Sequence, residues 1–207
     1  MLLKSDKLAE IIEHGIDDNN DPLAVLPQPN LDFLKTNIVG SLDLRLGRWF
    51  LTVRHTRHPI LDIKDDKSIE YNEANLTRNY FIPFGKSFIL HPGKFVLGAT
   101  LEWLRIPTNI VCYVTGKSSW GRRGLIIETA QGVHPGFAGC LTLEMTNVGE
   151  IPIAIRPGME ICQLFFHETS KSEVTKKSSL SGHRRPTLGN IKLDDIAQKL
   201  NQANNSI

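Results

Sequence analysis

The chain has 207 residues, 22% of them charged and 41% hydrophobic, with a formal net charge of +2. That length suits one well-cored domain with at most a small appendage, and so small a positive surplus excludes a protein built to coat nucleic acid. Three cysteines without a Cys-x-x-Cys pair, and no apolar stretch long enough for a membrane span or a signal core, exclude a disulfide framework and point to the cytoplasm, where the Asn75-Leu76-Thr77 sequon has no meaning.

Leu8, Ile11 and Ile12 recur at helical spacing between Ser5 and His14, which predicts a short amphipathic helix with Gly15 placed to end it. Residues 17–30 are rich in Asp, Asn and Pro and read as loop. Ser41-Leu42-Asp43-Leu44-Arg45-Leu46-Gly47 alternates apolar and polar as a half-buried strand does. Short apolar or alternating runs follow at 88–90, 95–97, 110–114, 141–145, 151–155 and 161–166, with Pro92-Gly93, Gly149 and Pro157-Gly158 as turn punctuation. Many short strands so separated predict a mainly β fold, a barrel or jelly roll, over residues 1–168. Residues 169–207 set Lys171, Lys176, Lys177, Arg184 and Arg185 among serines and read as a flexible basic tail, with a weak helix from Ile191.

The chemistry concentrates in Gly116-Lys117-Ser118-Ser119-Trp120-Gly121-Arg122-Arg123-Gly124 and in Pro135-Gly136-Phe137-Ala138-Gly139-Cys140-Leu141-Thr142-Leu143-Glu144. Glycines admit close backbone approach, Ser and Lys donate to phosphate oxygens, and Arg122 can fork onto an anion or a neighbouring acid. Together they equip a nucleotide site. A Walker A loop is excluded, because the glycine required five residues before Gly116 is Val111, and before Gly85 it is Tyr80. Strand parity puts Leu141, Leu143 and Met145 on one face and Cys140, Thr142 and Glu144 on the other; the bland alternative is a Glu144 that merely faces solvent.

With Leu8 to Gly15, Ser41 to Gly47, Leu90-His91-Pro92-Gly93, Thr129-Ala130 and Arg156-Pro157-Gly158-Met159 with Gln163-Leu164, these motifs fall in an order that resembles the dCTP deaminase branch of the dUTPase-like superfamily, over residues 1 to about 168. The resemblance implies a distorted β-barrel or jelly-roll subunit, a homotrimer with sites between subunits, and dCTP bound with Mg²⁺ through its phosphates. It places Glu144 on the catalytic glutamate, Ser118 and Arg122 on its supporting serine and arginine, and Ala130 on a backbone contact near the water. Lys117, Ser119, Trp120 and Gly121 fall in the phosphate-contacting loop, and His134, Thr142, Leu143 and Gln163 on nucleotide-contacting positions. The residue types agree: one carboxylate can activate water against C4 of cytosine and then protonate the leaving ammonia. Zinc-dependent deamination is excluded as chemistry, since neither a His-x-Glu nor a Pro-Cys-x-x-Cys element occurs and His55-Thr56-Arg57-His58 lacks further ligands.

Three departures stand out against the resemblance. Glu128 lies near the place where many members carry histidine, in a segment one residue shorter, His134 replaces an aspartate that diphosphatase members use to activate water, and Ser181-Gly182-His183-Arg184-Arg185-Pro186-Thr187 replaces a tyrosine-containing tail pattern. A histidine offers one acceptor where a carboxylate offers several, so the expected products are dUTP and ammonia, not dUMP. The alternatives are a non-catalytic dNTP-binding regulatory trimer, or a dUTPase or bifunctional deaminase-diphosphatase.

Overall fold

The computed structural model describes residues 1–14, 21–37, 39–54, 76–128, 132–170, 182–189, 194–196 and 199–200. Gly15, the 55–58 histidine pair, Thr129, Ala130 and most of the expected weak helix lie outside them. Helix α1 (Ser5–His14) buries Leu8, Ala9 and Ile11, so the apolar stripe legible in the sequence is the face turned to the core. The Ser5 hydroxyl lies 2.9 Å and 3.1 Å from the carbonyl oxygens of Leu34 and Asn37, and it accepts the Val39 amide at 2.9 Å. These bonds tie the start of α1 to α2 (Leu31–Thr36), whose first turn is capped by the Asn30 side chain accepting the Phe33 amide at 3.0 Å.

The loop expected over 17–30 is corrected at β1 (Ala24–Leu26), a three-residue strand too short to show alternation. It forms because β6 (Trp103–Arg105) offers an edge, with Val25 opposite Leu104. The predicted 41–47 strand is β2 (Leu42–Val53), which runs on through Trp49-Phe50-Leu51 instead of stopping at Gly47. After it come β3 (Thr77–Phe81), β4 (Phe88–Leu90), β5 (Phe95–Thr100) and, past β6, β7 (Ile110–Gly116). The short turn α3 (Ser118–Gly121) leads to β8 (Leu125–Glu128), β9 (Gly132–Val133), β10 (Ala138–Gly139), β11 (Thr142–Asn147), β12 (Ile153–Ile155) and β13 (Glu160–Glu168).

The main sheet runs β8-β11-β5-β2-β13-β7-β9 with β3 also on β2, a second runs β1-β6-β10, and β12 pairs with β4. The mainly β expectation holds. The larger compact unit, Met1–Thr52 with Asn79–Thr187, contains this framework apart from the end of β2 and the start of β3. Its core includes Leu44, Leu46, Phe50, Leu104, Ile106, Ile110 and Phe166, each fully buried. In the smaller unit, Val53–Arg78 with Leu188–Ile207, the Arg54 amide donates to the Leu76 carbonyl at 2.7 Å.

Candidate functional site

Gly116 ends β7 with no side chain, and a Cβ there would lie 3.2 Å from the Cβ of Ile127, so glycine lets the chain pass closely over β8. The chain then turns sharply: the Lys117 carbonyl accepts the amides of Trp120 (3.0 Å) and Gly121 (3.2 Å), and the Ser118 carbonyl accepts that of Arg122 (3.0 Å). Three bonds pin the turn to β13. The Lys117 amide donates to the Ile161 carbonyl at 3.0 Å, the Trp120 indole Nε1 donates to the Glu160 carbonyl at 2.9 Å, and the Lys117 Nζ donates to Glu160 Oε2 at 3.0 Å.

The same ammonium reaches β2, where Asp43 Oδ2 accepts it at 2.5 Å. Asp43 Oδ1 also accepts Gln163 Nε2 at 3.0 Å, and Gln163 lies 3.3 Å from the Ser41 hydroxyl. Arg45 extends the chain of charges: its NH2 stands 3.4 Å from Glu160 Oε1, its NH1 donates to Glu102 Oε1 at 3.2 Å, and its backbone amide donates to Glu102 Oε2 at 2.8 Å. Glu102 is 2% exposed, and burial pushes its carboxyl above the usual carboxylate range although the Arg45 bonds pull it down. Burial alone would lower Lys117, but its bonds to Asp43 and Glu160 outweigh that and leave the ammonium above the ordinary lysine value. Register explains why Glu160 serves two partners. The pairing of β13 with β2 shifts between Glu160 and Cys162, a bulge that re-aims the side chain at the strand's start.

Glu144 is held differently. Leu143, Met145 and Asn147 of β11 are buried while Thr142, Glu144 and Thr146 lie half-buried on the other face, so the parity read from the sequence is observed. Glu144 is flanked in register by Leu97 of β5 and Glu128 of β8. The strand end is locked by Asn147, whose Nδ2 donates to the carbonyls of Leu90 and Ile151, each at 2.9 Å. Leu143 points into the core, so any ligand contact it makes runs through its backbone.

His134 is exposed and opens a turn in which Pro135 and Gly136 occupy the central positions. Gly136 has φ +76°, and the Phe137 amide donates to the His134 carbonyl at 3.2 Å. That is the type II geometry the Pro-Gly pair specifies. Ile106 fixes the turn from outside, accepting the Gly136 amide at 3.0 Å and donating to the Phe137 carbonyl at 2.8 Å. Beyond it, the Cys140 amide donates to the His183 carbonyl at 2.9 Å, and the guanidinium of Arg185 sits 3.9 Å over the Trp49 ring.

Of the residues singled out in the sequence, Lys117, Trp120 and Gln163 meet in one network, and Ser118, Ser119, Gly121 and Arg122 are exposed on the turn it supports. Glu144 and Thr142 occupy the neighbouring strand face. The turn runs alongside β8, from Gly116 over Ile127 to Gly124, where a Cβ would lie 2.8 Å from the Gly149 amide nitrogen. Ile127, over which the turn starts, pairs with Met145 of β11, and Gly124, at its end, lies beside Gly149 and Asn147. Asp43, Glu160, Arg45 and Glu102 were missed; the alternation of 41–47 marked Asp43 and Arg45 as facing out together, but not what they meet. A cavity of about 590 Å³ lined by Leu26, Arg48, Trp49, Trp103, Cys140 and Arg184, among others, contains none of the expected site residues. Among the described residues no group of three or more His, Cys, Asp or Glu is placed to hold a metal ion.

A family model described as dCTP deaminase-like matches residues 5–169. The chain is 34% identical over 206 residues to the dUMP-forming dCTP deaminase of Methanobrevibacter smithii, an alignment covering 94% of this chain and 97% of that one. With the protein of the same name from Dictyoglomus thermophilum it shares 39% identity over 161 residues, 75% of this chain and 80% of the relative. Among solved structures, the 2'-deoxycytidine 5'-triphosphate deaminase of Agrobacterium tumefaciens superposes with a TM-score of 0.57 at 20% identity, over 81% of this chain and 47% of that one, a likeness of fold.

Proposed function

This chain belongs to the dCTP deaminase-like family, and from that membership we propose that it hydrolytically deaminates dCTP. Water adds to C4 of the cytosine ring, the C4–N4 bond breaks, and ammonia leaves as the uracil carbonyl forms. The observation that carries the reading is the half-buried face of β11: Glu144 projects from a strand paired on both sides, on the face opposite buried Leu143 and Met145. In this reading Glu144 takes a proton from the attacking water and delivers it to the ring nitrogen, then takes the proton of the new C4 hydroxyl and delivers it to the leaving amine. Ser118 and Arg122 orient the reacting groups and steady developing charge, with Ala130 contributing a backbone contact. Ser119, with Lys117 and Gln163 beneath it, takes the triphosphate end.

Mg²⁺ fits as a companion of the phosphates, not as a protein-held ion: the nearest carboxylates of the network, Asp43 and Glu160, are committed to Lys117. Bound there, it neutralises charge on the triphosphate. The working form is a homotrimer with sites between subunits, as the family resemblance implies. The cytoplasm is the proposed compartment. None of the cysteines is in a disulfide, and burial holds Cys162 up at about 12, as an inert thiol. Among the described residues no helix is long and apolar enough to cross a membrane.

His134 in place of a water-activating aspartate supports dUTP as the product. A second reading, in which dUTP goes on to dUMP and pyrophosphate, is favoured by the dUMP-forming relatives in Methanobrevibacter smithii and Dictyoglomus thermophilum. Ammonia release from a panel of cytosine and deoxycytosine nucleotides with Mg²⁺ tests the function. Turnover confined to dCTP is expected, and no ammonia from any of them would leave the regulatory-trimer alternative. Pyrophosphate appearing in step with ammonia would decide for the second reading.

A further inference from the structure

Asp43 and Glu160 bind the same ammonium from two different strands, and each also reaches another residue expected at the nucleotide. Asp43 holds Gln163 at 3.0 Å, while the Glu160 carbonyl accepts the Trp120 indole at 2.9 Å. Lys117 is thereby fixed at both ends, its backbone to Ile161 and its Nζ to two carboxylates, with one of its three N–H donors left over. A surface lysine ordinarily loses much rotamer freedom when it captures an anion. Here that freedom is already gone, with the Lys117 side chain only 22% exposed.

We infer that Asp43 and Glu160 are positioning residues for the triphosphate end of the site: by clamping Lys117 they hold the Lys117–Arg122 turn in the shape that receives the phosphates. The inference rests on the nucleotide reading above and adds a sign that simple charge counting would reverse. Two carboxylates close to a polyanion should repel it, so removing one would tighten binding if they were background charge. In the observed geometry Asp43 touches Lys117, and Glu160 touches both Lys117 and Arg45, so much of their charge is offset locally. What the phosphate loses when Asp43 or Glu160 is replaced is the ordered turn, which exceeds the small repulsion relieved.

The test measures equilibrium binding of dCTP, dCMP and inorganic triphosphate, each with Mg²⁺, in the full chain and in Asp43→Asn, Glu160→Gln and Lys117→Met, with kcat and KM for ammonia release. Asp43→Asn and Glu160→Gln should each weaken dCTP and inorganic triphosphate about tenfold, equivalent to about 1.4 kcal/mol. Binding of dCMP should stay within about twofold, and KM should rise while kcat holds within about threefold. In a Lys117→Met background Glu160→Gln should not weaken binding further, because it acts through that ammonium. Unchanged or tighter triphosphate binding, equal losses for dCMP, or an additive loss for Glu160→Gln in the Lys117→Met background would each overturn the inference. So would a wild-type chain that does not bind triphosphate. If the wild type binds triphosphate and releases no ammonia, the deaminase reading fails and the binding series still decides the positioning role. Glu160→Gln, at the exposed start of a strand, carries the test if Asp43→Asn does not fold.

Discussion

The turn at Lys117–Gly121 and the strand at Thr142–Asn147 both carry residues expected in the reaction, and they are held by opposite means. The strand is fixed by two antiparallel ladders and by buried Leu143, Met145 and Asn147, so Glu144 inherits its place from backbone and apolar packing. The turn buries no residue fully: Trp120 leans on the core and the Lys117 amide bonds Ile161, and the rest of its hold comes from charged and polar side chains reaching β2 and β13. A reacting carboxylate needs a rigid mount, whereas a phosphate-binding turn needs donors presented outward, and only polar ties can order it without burying them.

The largest effect that would sharpen this contrast belongs to Glu144. Glu144→Gln keeps the shape and the mount but cannot shuttle a proton, so kcat should fall by about 10²–10⁴ while dCTP binding stays within a few-fold. Unchanged turnover would show that the strand merely presents a solvated acid. Next, Leu143→Ala should cost about 2–5 kcal/mol of stability by opening a cavity under the strand, against about 0.5 kcal/mol or less for Ser119→Ala on the turn. Denaturant unfolding of the two variants checks the difference, and equal losses would break the comparison.

A smaller change is expected at Trp120→Phe, which removes only the indole bond to the Glu160 carbonyl. A stability loss of about 0.5–1.5 kcal/mol with weaker triphosphate binding is expected, and an effect on stability alone would separate the indole from the site.

The least effect concerns Glu102, beneath the network. Because burial raises its folded-state pKa, the folded chain holds this proton more tightly than the unfolded chain does. The stability so gained is complete below its ordinary 4.5 and is lost as pH rises through the higher native value. Unfolding free energies followed upward from pH 4 should therefore fall for wild type relative to Glu102→Gln. A relative gain for wild type would mean that Arg45 outweighs burial.

The two regions were also unequally legible. A strand's period of two is written locally, and Leu141, Leu143 and Met145 sufficed to turn Glu144 outward before any pairing was known. The Pro135-Gly136 turn was likewise written in two residues. The clamp on Lys117 joins residues 74 and 43 positions away, and which acids it meets depends on β13 lying between β2 and β7. Periodicity does not encode strand order. For the same reason β1 and β6 were invisible: each is three residues long and becomes a strand only through its partner. The roles proposed for Ser118, Arg122 and Gln163 come from the motif resemblance alone, since no local pattern separates them from other polar residues.

The most direct test of hydrolytic deamination is mass analysis of the nucleotide product formed from dCTP in ¹⁸O-labelled water. We expect one heavy oxygen at the pyrimidine C4 carbonyl, matched by one ammonia, in wild type and not in Glu144→Gln. Label confined to phosphate, with the cytosine amine intact, would contradict the assignment and make this chain a nucleotide hydrolase of another kind.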